Sequence, residues 1–323
     1  MKRRELRPDF LIVGAPKAGT TALHGALARH PEVFMSTPKE AKYFLCDGTP
    51  PPRWRGPGDM HSRQEWIWRP EEYAALFAPA PAGMVRGEST PFYLWSRDAH
   101  RRIAAALPEV RLIAVVRDPI ERAYSNWMHL WCDGLEPVAH FPTAFGLQDE
   151  RAAAGYAPFW RYRELGLYGE QLAHLFEHVD RDRVLVLRYG ELVDDPSDAV
   201  DRACRFLGIA TGLLDEVPSD NSRSYVEPGW RTRTLGPIVR GGAWLGQFAP
   251  PQVWRRASLP LVRRLGSGHP APRPVLAATE RADLVHAFAD DVKLLCEITG
   301  RDFSPWLSTV SEGSFQDRAS GPR

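Results

Sequence analysis

The segment Phe10-Leu-Ile-Val-Gly-Ala-Pro-Lys-Ala-Gly-Thr-Thr-Ala-Leu23 constrains the fold of this chain more than any other. Four apolar residues fit a buried strand, a glycine-bearing turn ends it, and an apolar spacing of three and four from Thr20 onward opens a helix. A strand, turn and helix joined this way aim backbone N–H groups and the positive helix end at one point, which suits a phosphate or a sulfate. Gly14 and Gly19 have the spacing of a nucleoside-triphosphate phosphate loop, but the usual lysine after the second glycine is replaced by Thr20-Thr21, and Lys17 stands earlier. The lysine therefore projects from the turn itself. We expect Lys17, Ala18, Gly19, Thr20 and Thr21 to form the cradle.

Further β-branched runs lie around Val85, over 111–116 and over 184–187, and helical patterns follow over 119–131, 169–179, 197–207 and 279–299. Strands alternating with helices predict an α/β fold, a phosphate-loop-like central parallel sheet flanked by helices on both sides. At 323 residues the chain could hold one large domain or two ordinary ones. The expected organisation is one domain over 1–307 and a disordered tail over 308–323. Residues 47–70, 133–164 and 228–275 interrupt the pattern as long loops rich in Pro, Gly and aromatic residues, the kind that serve as lids or binding loops. The third carries eight arginines and no acid, which suits an anionic ligand, a membrane surface or simply a solvated cap.

The 41 Lys+Arg residues nearly cancel 40 Asp+Glu, which excludes a polyanion binder held by bulk charge, so no nucleic acid partner is expected. No apolar run approaches the ~20 residues that cross a bilayer, and Cys46, Cys132, Cys204 and Cys296 are scattered, so reduced thiols and a cytoplasmic location are expected. Only five of the basic residues are lysines, and three of them are Lys17, Lys39 and Lys42.

The strand over 111–116 ends in Arg117-Asp118-Pro119, placing an arginine where a nucleotide-triphosphate enzyme would offer a metal ligand. Arginine there suits a second, separate phosphate. On the helix begun by Pro119, the residues Arg122, Ser125 and His129 recur at spacings of three and four and are expected to line one ligand.

These segments resemble the sulfotransferases that use 3′-phosphoadenosine 5′-phosphosulfate, in their bacterial and heparan-sulfate-type branch. The matching motifs are Ala15-Pro-Lys-Ala-Gly-Thr-Thr-Ala-Leu23, His30-Pro31, Lys39-Glu-Ala-Lys-Tyr-Phe44, Gly87-Glu-Ser-Thr-Pro-Phe-Tyr93, Arg117-Asp-Pro-Ile-Glu-Arg-Ala-Tyr-Ser125, Val184-Leu-Val-Leu-Arg-Tyr189, Phe206-Leu-Gly208 and Thr299-Gly-Arg-Asp-Phe303 with Trp306. The resemblance implies that Lys17 stabilises the leaving oxygen and that the amides and hydroxyls around Gly19, Thr20 and Thr21 hold the 5′-phosphosulfate. It implies that Arg117 and Ser125 grip the 3′-phosphate and that Tyr189 contacts the nucleotide. Glu40 resembles the glutamate base of the heparan-type enzymes, and His129 an active-site histidine that serves as base or orients the acceptor. Ser89 departs from the lysine that often follows the Glu88 position in heparan-type members. The late nucleotide loop falls in 221–233, with Arg223, Arg231 and Arg233 available.

The implied reaction is transfer of a sulfuryl group to a hydroxyl or amine of a small-molecule, glycan or lipid-like acceptor, with the bisphosphate as product and no metal. The alternatives are a phosphate-loop nucleotide kinase or NTPase, and a noncatalytic nucleotide-binding protein on the same fold. Oligomeric state is left open, a homo-oligomer included.

Overall fold

Strand β1, Phe10–Gly14, has no exposed residue, so the chain must cover both of its faces. It pairs in parallel with β3 (Val85–Ser89) on one side and β4 (Arg111–Val116) on the other. Strand β2 (Val33–Met35) joins β3 and β5 (Val184–Arg188) joins β4, giving a parallel sheet of order β2-β3-β1-β4-β5. In the middle of the sheet Ile12 stands between Ser89 and Ile113. The computed structural model of this chain describes residues 7–214, 236–242 and 276–309.

Helices flank the sheet: α1 (Thr20–Leu27), α2 (Asp59–Gln64), α3 (Pro70–Ala75), α4 (Arg97–Ala106), α5 (Pro119–Cys132) and α6 (Phe141–Gly146) precede α7 (Gln148–Ala153) and α8 (Tyr168–Phe176). Then come α9 (Tyr189–Asp194), α10 (Pro196–Leu207), α11 (Ala278–Val285) and α12 (Ala289–Thr299). Helix α5 starts as its sequence dictates, with Pro119 in the first turn and the Asp118 carboxylate accepting from the Ile120 and Glu121 N–H groups. The α/β architecture with a parallel sheet is therefore the one expected. Strand β2 was not foreseen, since its three residues are too few for a periodicity to register. None of the four cysteines is bridged to another.

Several local expectations need correction. The single helix expected over 279–299 is two, α11 and α12, parted by a turn that buries Phe288 against Phe145. The break also lets Asp291, in the first turn of α12, accept from the Gly169 and Glu170 N–H groups and so cap α8 from outside. Residues 47–70 are not wholly irregular, because they contain α2, and residues 133–164 contain α6 and α7. Arg122 does not line a ligand site with Ser125 and His129. It is fully buried and donates to Asn126 Oδ1 at 3.0 Å and to the Tyr162 carbonyl. Most of 228–275, all of 221–233 with Arg223, Arg231 and Arg233, and the tail from residue 310 lie outside the described residues. Among the described residues, no helix is long and apolar enough to cross a membrane.

Candidate functional site

In open parallel sheets ligands bind beyond the carboxyl ends of the strands, where the strand order reverses. Here β1 lies between β3 and β4, and the chain passes from one side of it to the other. The residues that follow β1, β4 and β5 are the loop with Lys17, then Arg117, then Tyr189.

The root of the loop is tightly held. Ala15 N–H donates to the Val115 carbonyl at 2.6 Å, and Leu94 N–H donates to the Val13 carbonyl at 2.8 Å. A Cβ on Gly14 would lie 2.4 Å from Leu94 Cβ, so only glycine fits there. Beyond the root, Lys17 has φ 68° and Gly19 φ 92°, both left-handed, which coils the turn around its own amides. Ala18 is fully buried and its N–H bonds the Ala15 carbonyl at 3.2 Å.

Helix α1 begins at Thr20 with Gly19 as its N-cap, no capping side chain and no acid in its first turn. Helices α4, α5 and α10 instead receive side-chain caps from Ser96, Asp118 and Asp195. The first turn of α1 thus receives no capping side chain and no acid, with Thr20 buried and Thr21 exposed beside it.

Tyr189 stands over this turn: a Cβ on Gly19 would meet its Cδ2 at 2.8 Å. The Arg117 guanidinium lies 4.7 Å from the Tyr189 ring centroid and 3.6 Å from Glu121. The predicted nucleotide residues Gly19, Tyr189 and Arg117 are therefore together. Ser125 sits buried on α5, one turn before His129. Asp118, the acid after Arg117, caps α5 and pairs with the buried Arg281 at 2.5 Å, so its carboxylate is held in the structure rather than turned to a ligand.

Lys17 and His129 meet. Lys17 Nζ is 3.4 Å from His129 Nδ1, and His129 Nε2 is 3.5 Å from Asp133 Oδ2. A carboxylate only accepts, so the proton of a neutral His129 belongs on Nε2, and Nδ1 is left to accept from the lysine ammonium. Phe159 meets the imidazole edge-on at 5.5 Å and Phe92 meets Phe159 at 6.1 Å, which gives the His129 end an aromatic wall. Asp133, the C-cap of α5, was missed as a functional residue, although its spacing of four from His129 was a usable signal. Phe159 lies in the aromatic segment 133–164 that was expected to serve as a lid or binding loop.

Glu40 is joined to the cradle through its neighbour. Lys39 Nζ donates to Thr21 Oγ1 at 2.5 Å and lies 3.7 Å from Glu40 Oε1. The loop that carries them is laid on the end of β3. Ser89 N–H donates to the Lys39 carbonyl at 3.2 Å, Lys42 N–H donates to Thr90 Oγ1 at 3.0 Å, and Phe44 N–H reaches Tyr93 Oη at 3.4 Å. Beneath lies Glu88, fully buried, accepting from Thr90, from Tyr73 Oη at 3.3 Å, from Tyr93 and from the Ala41 N–H. Burial pushes its carboxyl up to about 7 against those bonds.

The two aromatic loops form one wall. Arg55 N–H donates to the Gly155 carbonyl at 2.9 Å. The buried Asp59 accepts from Ala157 N–H at 2.8 Å and from Trp160 Nε1 at 3.0 Å. Trp54 and Trp66 are in ring contact at 4.9 Å, with Lys42 Nζ 5.8 Å from the Trp66 ring.

A family model described as "Sulfotransferase family" matches residues 8–212. Heparan sulfate glucosamine 3-O-sulfotransferase 6 of Homo sapiens is 29% identical over 209 residues, 65% of this chain and 54% of that protein. Bifunctional heparan sulfate N-deacetylase/N-sulfotransferase 1 of Xenopus tropicalis is 26% identical over 249 residues, covering 71% of this chain and 26% of its own length. The chain thus spans about half the length, or less, of the curated relatives it matches. Among solved structures, a sulfotransferase from Alicyclobacillus acidocaldarius aligns with a TM-score of 0.72 at 27% identity, covering 94% of this chain and 99% of that one.

Proposed function

The chain belongs to the sulfotransferase family, and on that premise we propose that it transfers a sulfuryl group from 3′-phosphoadenosine 5′-phosphosulfate to a hydroxyl or amine. The acceptor is a small molecule, a glycan or a lipid-like molecule, and similarity to two heparan sulfate sulfotransferases supports the glycan among these. The observation that carries the reading is Lys17 Nζ, 3.4 Å from His129 Nδ1, on a loop that leads into an uncapped helix.

The donor brings an S–O bond that breaks with charge gathering on its leaving oxygen. The amides at the start of α1, with the Thr20 and Thr21 hydroxyls, hold the 5′ end, while Arg117 and Ser125 hold the 3′-phosphate and Tyr189 contacts the nucleotide. The residues fit such a ligand, since glycine at position 19 leaves room for the Tyr189 ring over the turn, and the loop after β1 and the end of β4 each supply a separate basic residue, Lys17 and Arg117, for two anionic ends. Lys17 supplies a compact mobile charge where the leaving oxygen forms, a task that suits an ammonium better than a planar guanidinium.

As Lys17 turns to that oxygen, it leaves His129 Nδ1, whose lone pair then accepts the acceptor's proton while Asp133 steadies the resulting imidazolium. Glu40 is the second candidate base. The unit that does this spans 1–307, a reading supported by α11 and α12, which pack on α5 and α8.

Calorimetry with 3′-phosphoadenosine 5′-phosphate in metal-free buffer, beside ATP with Mg²⁺, tests the assignment. Tight binding of the bisphosphate is expected and should weaken at least ~10-fold in Arg117→Ala, as loss of a charge-assisted contact requires. Binding of Mg-ATP alone would refute it. Bisphosphate binding without transfer to any acceptor would reduce the protein to a nucleotide binder, and Glu40→Gln should impair an enzyme while leaving a binder intact.

A further inference from the structure

Away from the cradle, three histidines and a glutamate gather where α8 meets α4. Ligand atoms of His174, Glu177 and His178 lie within 4.8 Å of one another, and the His174 and His178 rings are 4.9 Å apart. The third histidine, His100 on α4, is 1% exposed and fixes the protonation of the group. Its Nε2 is 2.9 Å from the Leu94 carbonyl, which can only accept, so Nε2 carries the proton. In the neutral imidazole that tautomer leaves Nδ1 as the acceptor. His174 Nδ1 is 2.9 Å from that nitrogen and must donate to it, which leaves the His174 lone pair on Nε2.

We propose that His174, Glu177 and His178 form a site for a divalent transition metal ion of the Zn²⁺ type, with His100 as the outer residue that orients His174. Two imidazoles and one carboxylate are a donor set zinc accepts, with water completing the tetrahedron. The pattern ligand histidine, partner, backbone carbonyl is the outer-shell arrangement that fixes a metal-binding tautomer. Glu177 is the C-cap of α8, where the negative helix pole favours a cation. The nearby cations Arg97 and Arg101 are paired with Glu170 and Asp98, which limits their repulsion of an ion. Nothing in the proposed transfer reaction uses these residues.

The test is calorimetry of the untagged full chain, stripped with chelator and titrated with ZnCl₂ at pH 7.5. One saturable equivalent is expected, with affinity falling at least ~10-fold in the surface double variant Glu177→Gln/His178→Ala, and ~10- to 100-fold in His100→Phe if that variant keeps its circular dichroism spectrum. The surface pair keeps the test decisive should the buried variant misfold. No saturable uptake, or an isotherm unchanged in the double variant, overturns the proposal.

Discussion

Glu88→Gln should change how stability depends on pH, and the size of the change can be worked from the burial of one carboxyl. Burial raises Glu88 from its ordinary 4.5 to about 7 in the folded protein, and the group is fully enclosed, so solvent does not screen the effect. Below pH 4.5 both folded and unfolded chains are protonated at this position. Between 4.5 and about 7 the unfolded chain has ionised and the folded one has not, so folding takes up a proton and stability falls as pH rises. Above that window the full cost is present, about 3 kcal/mol. Glutamine has no such titration, whatever fixed penalty it brings by facing Tyr73 and the Ala41 amide. Asp59 and Asp291, both raised to about 6 by burial, slope the same way but are common to both proteins and subtract out. Urea unfolding of wild type and variant from pH 4 to pH 8 should therefore show the advantage of wild type shrinking by about 3 kcal/mol across the series. Two curves that stay parallel would refute the burial argument.

Lys17→Ala should lower transfer by about 10² to 10³ or more at saturating donor while leaving the unfolding midpoint within error, and a variant keeping half its activity would reject the leaving-group role. His129→Ala should lower turnover by about 10² to 10⁴, and Asp133→Asn by a smaller factor of the same origin, read from the basic and acidic limbs of the pH–rate profile. Gly19→Ala meets both a φ of 92° and the Tyr189 ring at 2.8 Å. It should destabilise the fold by about 1–3 kcal/mol and weaken bisphosphate binding together, which denaturation and calorimetry would each detect.

The sheet was legible wherever a strand was long and buried. Strand β4 ran over 111–116 as expected because its apolar residues are contiguous, and α5 announced itself through the Asp118-Pro119 start. Strand β2 and the division of α11 from α12 were not legible, since three residues hold no period and the break serves a tertiary need, the burial of Phe288. In the site, Gly19, Arg117 and Tyr189 came together because the ends of parallel strands converge in space. Arg122 shared the spacing of Ser125 and His129 yet turned inward to Tyr162. Periodicity gives the face of a helix, and only packing decides what that face meets. The contact of Lys17 with His129 joins residues 112 apart in sequence and required the fold to be seen.

The wall beside the cradle is built from two segments that meet through Asp59, whose carboxylate holds the Ala157 amide and the Trp160 indole. Neither segment therefore varies alone. An exchange of residues 47–70 for the corresponding loop of a relative would strand those two donors, and the same holds for 133–164 in reverse. Under the proposed reaction, a change of acceptor preference through this wall calls for grafting the two loops as a matched pair, with the Asp59 junction carried over as the unit of inheritance.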